Sequence, residues 1–188
     1  MLPLEDVPPS ALVLIDLQRD LCEAPRRVAK VNQALPSILT LIDLIHASGG
    51  LVVYSYFALA PDDPQFERFG DRYCIEGTPG ADLIDVLLPL RGPTLRKTKH
   101  SVFFETDLDE MLRARGVKQV FLAGLQTQIC VLTSAADASF RGYEPVVVQE
   151  CVISTSDQPK QDALDWISRY VGTVIELDDV PARLKGAR

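Results

Sequence analysis

The sequence has 188 residues, of which 47% are hydrophobic and 24% charged, and its formal net charge at pH 7 is -7. This length fits one domain, which we expect to span residues 1–188, with a core that needs no disulfide or metal. The acidic balance argues against binding to nucleic acid or to an anionic membrane surface.

No uninterrupted apolar run is long enough to suggest a membrane span, and residues 1–10 lack the basic and apolar regions of a signal peptide. The four cysteines are scattered and include no CxxC pair. Such sparse cysteines are typical of a reducing compartment, so we expect a cytoplasmic protein.

Apolar runs alternate with helical patterns along the chain. Short apolar runs predict strands at residues 11–15, 51–56, 119–123, 145–149 and 173–177, and residues 94–97 can form a further short strand. Helical spacing predicts helices at residues 28–47, 82–88, 106–115, 127–141 and 158–170. This alternation predicts an α/β protein: a three-layer α/β/α sandwich around a six-stranded, mostly parallel sheet.

In sheets of this kind, ligands bind beyond the carboxyl ends of the strands, so the residues that follow strands are candidates for a site. Asp16 follows the first predicted strand, without the Gly-rich turn of a dinucleotide site. Gln18 stands where a haloacid-dehalogenase-like phosphatase needs a second Asp. An acid at a buried strand end is costly unless it is paired or functional, although a helix cap or surface acid is an alternative interpretation.

A second candidate follows the fourth predicted strand, where a tight turn leads to Cys130 at the start of a predicted helix. A helix start lowers a thiol pKa and offers free N–H groups that can hold an oxyanion. The alternative interpretation is that Cys130 is a small buried hydrophobic residue. The long irregular segment at residues 57–80 is also predicted to be functional, because such loops are uncommon in compact domains.

Four segments in order carry a resemblance to a known family: DLQRD at residues 16–20, EGTPGADL at 76–83, KTKHSVFFETDLDEML at 97–112 and AGLQTQICVLTSAADA at 123–138. Together they resemble the isochorismatase-like cysteine hydrolases over residues 11–151. The resemblance implies a six-stranded parallel sheet and the catalytic set Asp16, Lys97 and Cys130. It further implies a cis peptide between Leu125 and Gln126, with the backbone N–H groups of Gln126 and Cys130 as an oxyanion hole.

These residues predict a cysteine-dependent hydrolase that cleaves a C–N bond of a small amide, ureide or carbamoyl compound through an acyl-enzyme at Cys130. Asp16 would take the thiol proton and return it to the leaving nitrogen, and Lys97 would supply electrostatic support. Lys99, two residues further on, remains open as an alternative to Lys97. Isochorismatase itself cleaves a vinyl ether, and relatives in that pathway lack the cysteine, so Cys130 favours acyl transfer.

No cofactor and no metal are expected. Nicotinamidase-type members carry an Asp and a His as metal ligands in the loop after the second strand, where this chain has residues 56–59, YFAL. The two histidines, His46 and His100, are not near further ligand residues in sequence. The expected partner is a small-molecule substrate, and the resemblance also implies a homodimer or homotetramer.

Several residues near the predicted strand ends are candidates for contacts with the substrate, although each could equally be structural. They are Gln18, Tyr56, Phe57, Glu76, Phe103 and Gln128.

Two other functions remain open. The chain could be a non-hydrolytic binding or regulatory module of the same fold, although the intact Asp16, Lys97 and Cys130 set argues against this. It could also be a redox-active thiol protein in which Cys151 or Cys22 resolves Cys130, although no CxxC pair supports this. Cys22 and Cys74 are predicted to lie exposed in loops, and Cys151 is predicted to follow a strand.

Overall fold

In the computed structural model, which describes residues 9–186, six strands form a sheet in the order β3-β2-β1-β4-β5-β6. They are β1 (Ser10–Ile15), β2 (Leu51–Phe57), β3 (Thr94–Lys97), β4 (Gln119–Leu125), β5 (Glu144–Ile153) and β6 (Thr173–Ile175). Every neighbouring pair is parallel. The predicted sheet is therefore confirmed, and it is parallel throughout.

Helices cover both faces of the sheet, which confirms the predicted three layers. They are α1 (Arg19–Cys22), α2 (Val28–Ala47), α3 (Gln65–Phe69), α4 (Leu108–Arg113), α5 (Leu132–Phe140), α6 (Asp157–Tyr170) and α7 (Val180–Leu184). One core cluster joins α2 and α7 to one face, and another joins α4, α5 and α6 to the opposite face. The central strands are apolar on both sides because both of their faces are buried.

Helix α2 has the predicted bounds and continues through Pro36. By length and composition alone it could also cross a membrane. In this structure, however, Val31, Ile38 and Ile45 on its inner side are buried in the core cluster beneath the sheet. These contacts are those of a core helix.

Two segments differ from the predicted elements. The helix predicted at residues 82–88 is replaced by two short 3-10 turns, Pro79–Ala81 and Asp85–Leu87. The segment is short and is bounded by Pro79 and Pro89, a setting in which 3-10 turns are common. Strand β5 extends to Ile153, so Cys151 lies inside the strand rather than after it.

Candidate active site

The three residues predicted to be catalytic come together at the carboxyl end of the sheet. Asp16 directly follows the central strand β1, Lys97 is the last residue of β3, and Cys130 lies in a π-helical turn (Thr127–Val131) after β4. The Nζ of Lys97 lies 2.8 Å from Oδ2 of Asp16 and 3.5 Å from Sγ of Cys130. Lys99 is exposed and lies outside this cluster.

Asp16 and Lys97 form a buried ion pair, each being 1% exposed. Burial of a charge is costly unless a partner compensates it, and each of these two residues provides the partner for the other. The ammonium of Lys97 also donates to the carbonyl oxygen of Lys99 and lies 5.1 Å from the centre of the Phe57 ring. Oδ1 of Asp16 is buried and accepts no hydrogen bond from the described residues. One carboxylate oxygen is thus held by Lys97, and the other is available to accept a proton.

The pKa values of the three groups reflect this burial. Burial raises the pKa of Asp16, although Lys97 acts to lower it. Burial alone would lower the pKa of Lys97, but the charges of Asp16 and Cys130 and the hydrogen bonds to both side chains together outweigh it, so the pKa is raised. Burial, followed by the charge of Asp16, raises the pKa of Cys130 to about 12, against the lowering effect of Lys97.

This direction corrects the expectation that the start of a helix lowers the thiol pKa of Cys130. Cys130 is 9% exposed and lies within the π-helical turn, and its loss of solvation is the largest cause of the raised pKa. At neutral pH the resting group is therefore a thiol, and its ionisation requires a neighbouring proton acceptor.

The backbone that carries Cys130 has an unusual local geometry. The peptide bond between Leu125 and Gln126 is cis, and Gly124 has a φ of 111°. A Cβ atom at Gly124 would lie 2.1 Å from the carbonyl oxygen of Ile15, so the close approach of β4 to β1 requires glycine. The hydroxyl of Ser134 donates to the carbonyl oxygen of Cys130 at 2.6 Å, which fixes the turn against α5.

A small cavity of about 50 Å³ opens onto the sulfur of Cys130. It is lined by Asp16, Leu21, Phe57, Tyr73, His100, Leu125, Gln126, Ile129 and Cys130. The Nδ1 of His100 lies 3.8 Å from the sulfur. Partial burial and the charge of Lys97 lower the pKa of His100 below its ordinary value. We refer to this cavity below as the catalytic cavity.

Sequence reasoning did not select His100 or Tyr73 for the site. Tyr73 comes from the long segment at residues 57–80, and its ring centre lies 6.2 Å from that of Phe57. The length of this segment predicted a functional loop, but the sequence did not indicate which of its residues enters the site.

Of the six predicted substrate contacts, Phe57 lines the catalytic cavity, whereas the other five do not. Gln18 is fully buried and connects two segments. Its amide nitrogen donates to the carbonyl oxygens of Phe57 and Ala81, both at 2.7 Å, and its oxygen accepts from the N–H of Phe57 at 2.8 Å. Gln18 therefore positions Phe57 and does not face the cavity.

Tyr56 and Glu76 line a separate crevice of about 470 Å³. Because side chains alternate along a strand, Tyr56 points away from the direction that Phe57 takes at the end of β2. Oε2 of Glu76 lies 2.9 Å from Nη2 of Arg96, and the two side chains form an ion pair.

Phe103 and Gln128 do not line the catalytic cavity themselves, although Gln128 contacts Gln126, which does. The ring of Phe103 is buried and stacks on Tyr143 with centres 5.8 Å apart. The side chain of Gln128 donates to that of Gln126 at 3.1 Å and accepts from Ser154 at 2.9 Å. Both residues support the surrounding structure.

The remaining cysteines do not join this site. Cys22, Cys74 and Cys151 are buried, and all four cysteines are free thiols. The expectation that Cys22 and Cys74 are exposed is therefore wrong, because Cys22 lies on the inner side of α1 and both pack into the core beneath the sheet. Between residues 9 and 186, no group of three or more His, Cys, Asp or Glu side chains is arranged to hold a metal ion.

We expect iodoacetamide at near-neutral pH to alkylate Cys130 before the other three cysteines. Cys130 opens onto the catalytic cavity and is 9% exposed, whereas Cys22, Cys74 and Cys151 are 2% exposed or less. Burial raises the pKa of all four thiols, so access and the charge of Lys97 decide the order of reaction. Peptide mass mapping over time measures this order, with urea-unfolded protein as the control in which all four react. Earlier labelling of another cysteine would contradict the assignment.

The chain was also compared with known proteins. The isochorismatase domain family matches residues 10–179. Maleamate amidohydrolase from Pseudomonas putida is 33% identical over 171 residues, which cover 86% of this chain and 78% of that protein. N-carbamoylsarcosine amidase from Thermoplasma acidophilum superposes with a TM-score of 0.81 at 32% identity, covering 90% of this chain and 97% of the other. Nicotinamidase from Bacillus subtilis also gives a TM-score of 0.81, at 29% identity over 89% of this chain and 99% of the other.

Proposed function

Because the chain belongs to the isochorismatase family, we propose that it is a cysteine-dependent amidohydrolase acting on a small amide, ureide or carbamoyl compound. The observation that carries the proposal is the cluster of Asp16, Lys97 and Cys130, of which Asp16 and Cys130 line the catalytic cavity. The similar proteins named above, an amidohydrolase, an amidase and a nicotinamidase, support amide cleavage as the reaction.

The first half of the proposed reaction forms an acyl-enzyme. The carboxylate of Asp16 accepts the proton of the Cys130 thiol, and its raised pKa makes it a stronger proton acceptor. The resulting thiolate is stabilised by the ammonium of Lys97 and attacks the carbonyl carbon. The backbone N–H groups of Gln126 and Cys130 hold the oxyanion. Asp16 then gives the proton to the leaving nitrogen, the C–N bond breaks, and a thioester remains.

The second half of the reaction releases the acid. Asp16 accepts a proton from water, which attacks the thioester carbonyl carbon, and the C–S bond breaks as the sulfur of Cys130 regains a proton. Asp16 passes the thiol proton to the leaving nitrogen and takes its replacement from water, while Lys97 stays charged, so the cluster carries the same net charge before the reaction, in the acyl-enzyme and after it. A buried site favours such a sequence, since no net charge is created away from water.

A screen for ammonia release tests the proposal directly. The purified protein is incubated with maleamate, N-carbamoyl amino acids, nicotinamide and simple aliphatic amides, and the ammonia is quantified. We expect ammonia release from at least one of these compounds. Protein that binds such compounds without cleaving any of them would indicate the non-hydrolytic module instead. Peroxide-dependent disulfide formation at Cys130, detected by mass spectrometry, would indicate the redox protein.

We expect exhaustive treatment with EDTA to leave the amidase activity unchanged. The residues that follow β2, Ala58 and Leu59, carry apolar side chains at the place where metal-dependent relatives are expected to carry ligands. In the proposed reaction, Lys97 and the backbone N–H groups stabilise the developing charge. The measurement is ammonia release before and after dialysis, together with metal analysis of the protein. Stoichiometric zinc or iron, with activity lost on its removal and restored on its return, would contradict this expectation.

A further inference from the structure

Arg27, the residue just before α2, is a buried cation without an acidic partner. It is 5% exposed, and its Nε donates to the carbonyl oxygen of Leu21 at 2.6 Å. None of the ion pairs formed within residues 9–186 involves Arg27. Arginine is almost never buried to this extent without a paired carboxylate. The guanidinium therefore lacks the anion that such burial calls for.

Arg27 lines a crevice that adjoins the catalytic cavity. The crevice has a volume of about 430 Å³, and Leu21, Tyr73 and Gln126 line both it and the catalytic cavity. Gln126 carries one of the two N–H groups proposed to hold the oxyanion. The catalytic cavity, at about 50 Å³, has room for little more than the reacting group, and the adjoining crevice is large enough for the rest of a small substrate.

We propose that Arg27 binds a carboxylate of the substrate, so that the preferred substrates are small amides or ureides that carry a carboxylate a few atoms from the scissile carbonyl. This inference rests on the proposed amidase function of Cys130. A planar guanidinium presents paired N–H donors that match the two oxygens of a carboxylate. Two acids, Asp20 and Asp71, also line the crevice, but neither pairs with Arg27, and Asp20 accepts the N–H of Cys74 at 2.7 Å.

Two pairs of compounds, each differing by a carboxylate in place of a methyl group, test the inference. They are maleamate against cis-but-2-enamide, and N-carbamoylglycine against N-ethylurea. For the wild-type protein we expect a higher kcat/KM for the acid of at least one pair. Arg27→Gln should lower kcat/KM for that acid by about 10- to 100-fold, the range of a lost hydrogen bond to a charged group. In the same variant, kcat/KM for the neutral compound of the pair should change by no more than about twofold.

Two further variants serve as controls. Arg27→Lys keeps the charge and should retain part of the preference for the acid. Arg169→Gln removes an exposed arginine of α6 that does not line the crevice and should leave both rates within about twofold of wild type. If Arg27→Gln loses kcat/KM equally for the acid and for its neutral counterpart, Arg27 has a structural role and the inference is overturned. Unchanged rates in Arg27→Gln, or a wild-type preference for the neutral compounds, would also overturn it while leaving the amidase function standing.

A binding measurement separates failure of this inference from failure of the proposed function. Calorimetry with maleate, which carries a second carboxylate in place of the scissile amide, measures carboxylate binding without any turnover. We expect binding to the wild-type protein that is weakened about 10- to 100-fold in Arg27→Gln, with Arg27→Lys as the second variant if the first fails to fold. If no amide is cleaved, the amidase proposal fails, but the difference in binding between wild type and Arg27→Gln still tests whether Arg27 binds a carboxylate. If the wild-type protein does not bind the carboxylate compound, or if Arg27→Gln binds it equally well, the proposed carboxylate site is overturned.

Discussion

Replacing Lys97 by alanine is expected to lower kcat/KM by at least about 10²-fold, whereas Lys99→Ala is expected to remain near wild type. The ammonium of Lys97 contacts both Asp16 and Cys130, so its loss removes the cation that stabilises the thiolate and the partner that holds the carboxylate. Lys99 is exposed, and only its backbone carbonyl contacts the cluster.

Loss of Lys97 should also lower the free energy of unfolding, because it leaves the charge of Asp16 buried without a partner. Removal of one member of a buried ion pair typically costs about 3–5 kcal/mol. Thermal melts of each variant therefore accompany the kinetics, and Lys97→Met, which fills most of the same volume, separates lost charge from lost packing. An inactive Lys99→Ala with a near-wild-type Lys97→Ala would show that the wrong lysine has been placed in the cluster.

The sequence was sufficient to predict which residues meet at the strand ends. Parallel strands present their carboxyl ends at one edge of the sheet, and β1 lies where the strand order reverses. Asp16 and the turn before Cys130 were each recognisable because they follow an apolar run, whereas Lys97 was predicted to join them from the resemblance to the isochorismatase-like hydrolases. Their convergence is thus a consequence of topology, which hydrophobic patterning predicts well.

The lining of the cavity could not be predicted in the same way. Gln18 and Phe103 have side chains suited to a pocket, but the direction of a side chain depends on packing across elements distant in sequence. Gln18 turns instead toward the backbone of Phe57, and Phe103 packs on Tyr143. Nothing in the sequence indicated a role for Arg27. Its burial without an acidic partner becomes visible only in the folded structure, where it lines the crevice.

The protonation of the cysteine also depended on the structure. A cysteine near a helix start suggests a lowered pKa, since the backbone N–H groups favour the thiolate. The depth of Cys130 and the adjacent charge of Asp16 reverse that direction. The burial of Cys130 is visible only in the three-dimensional arrangement, and a protonated thiol beside a carboxylate is the basis on which we propose Asp16 as the proton acceptor.

Cys130→Ala is expected to lower turnover by at least about 10³-fold, because no other nucleophile occupies the position from which the sulfur attacks. The substitution removes one sulfur atom from the wall of the catalytic cavity, and the hydrogen bond from Ser134 to the carbonyl oxygen of residue 130 does not involve the side chain. We therefore expect a melting temperature close to that of the wild-type protein. Cys151→Ala, which changes a buried cysteine inside β5, is the matched control and should remain active.

The most direct measurement of the central claim is the rate of ammonia release by Cys130→Ala, with the amide that the wild-type protein cleaves fastest. The proposed reaction predicts a rate at the level of the uncatalysed control, from a variant that melts like the wild-type protein. A folded Cys130→Ala variant that releases ammonia at the wild-type rate would contradict the assignment of Cys130 as the nucleophile.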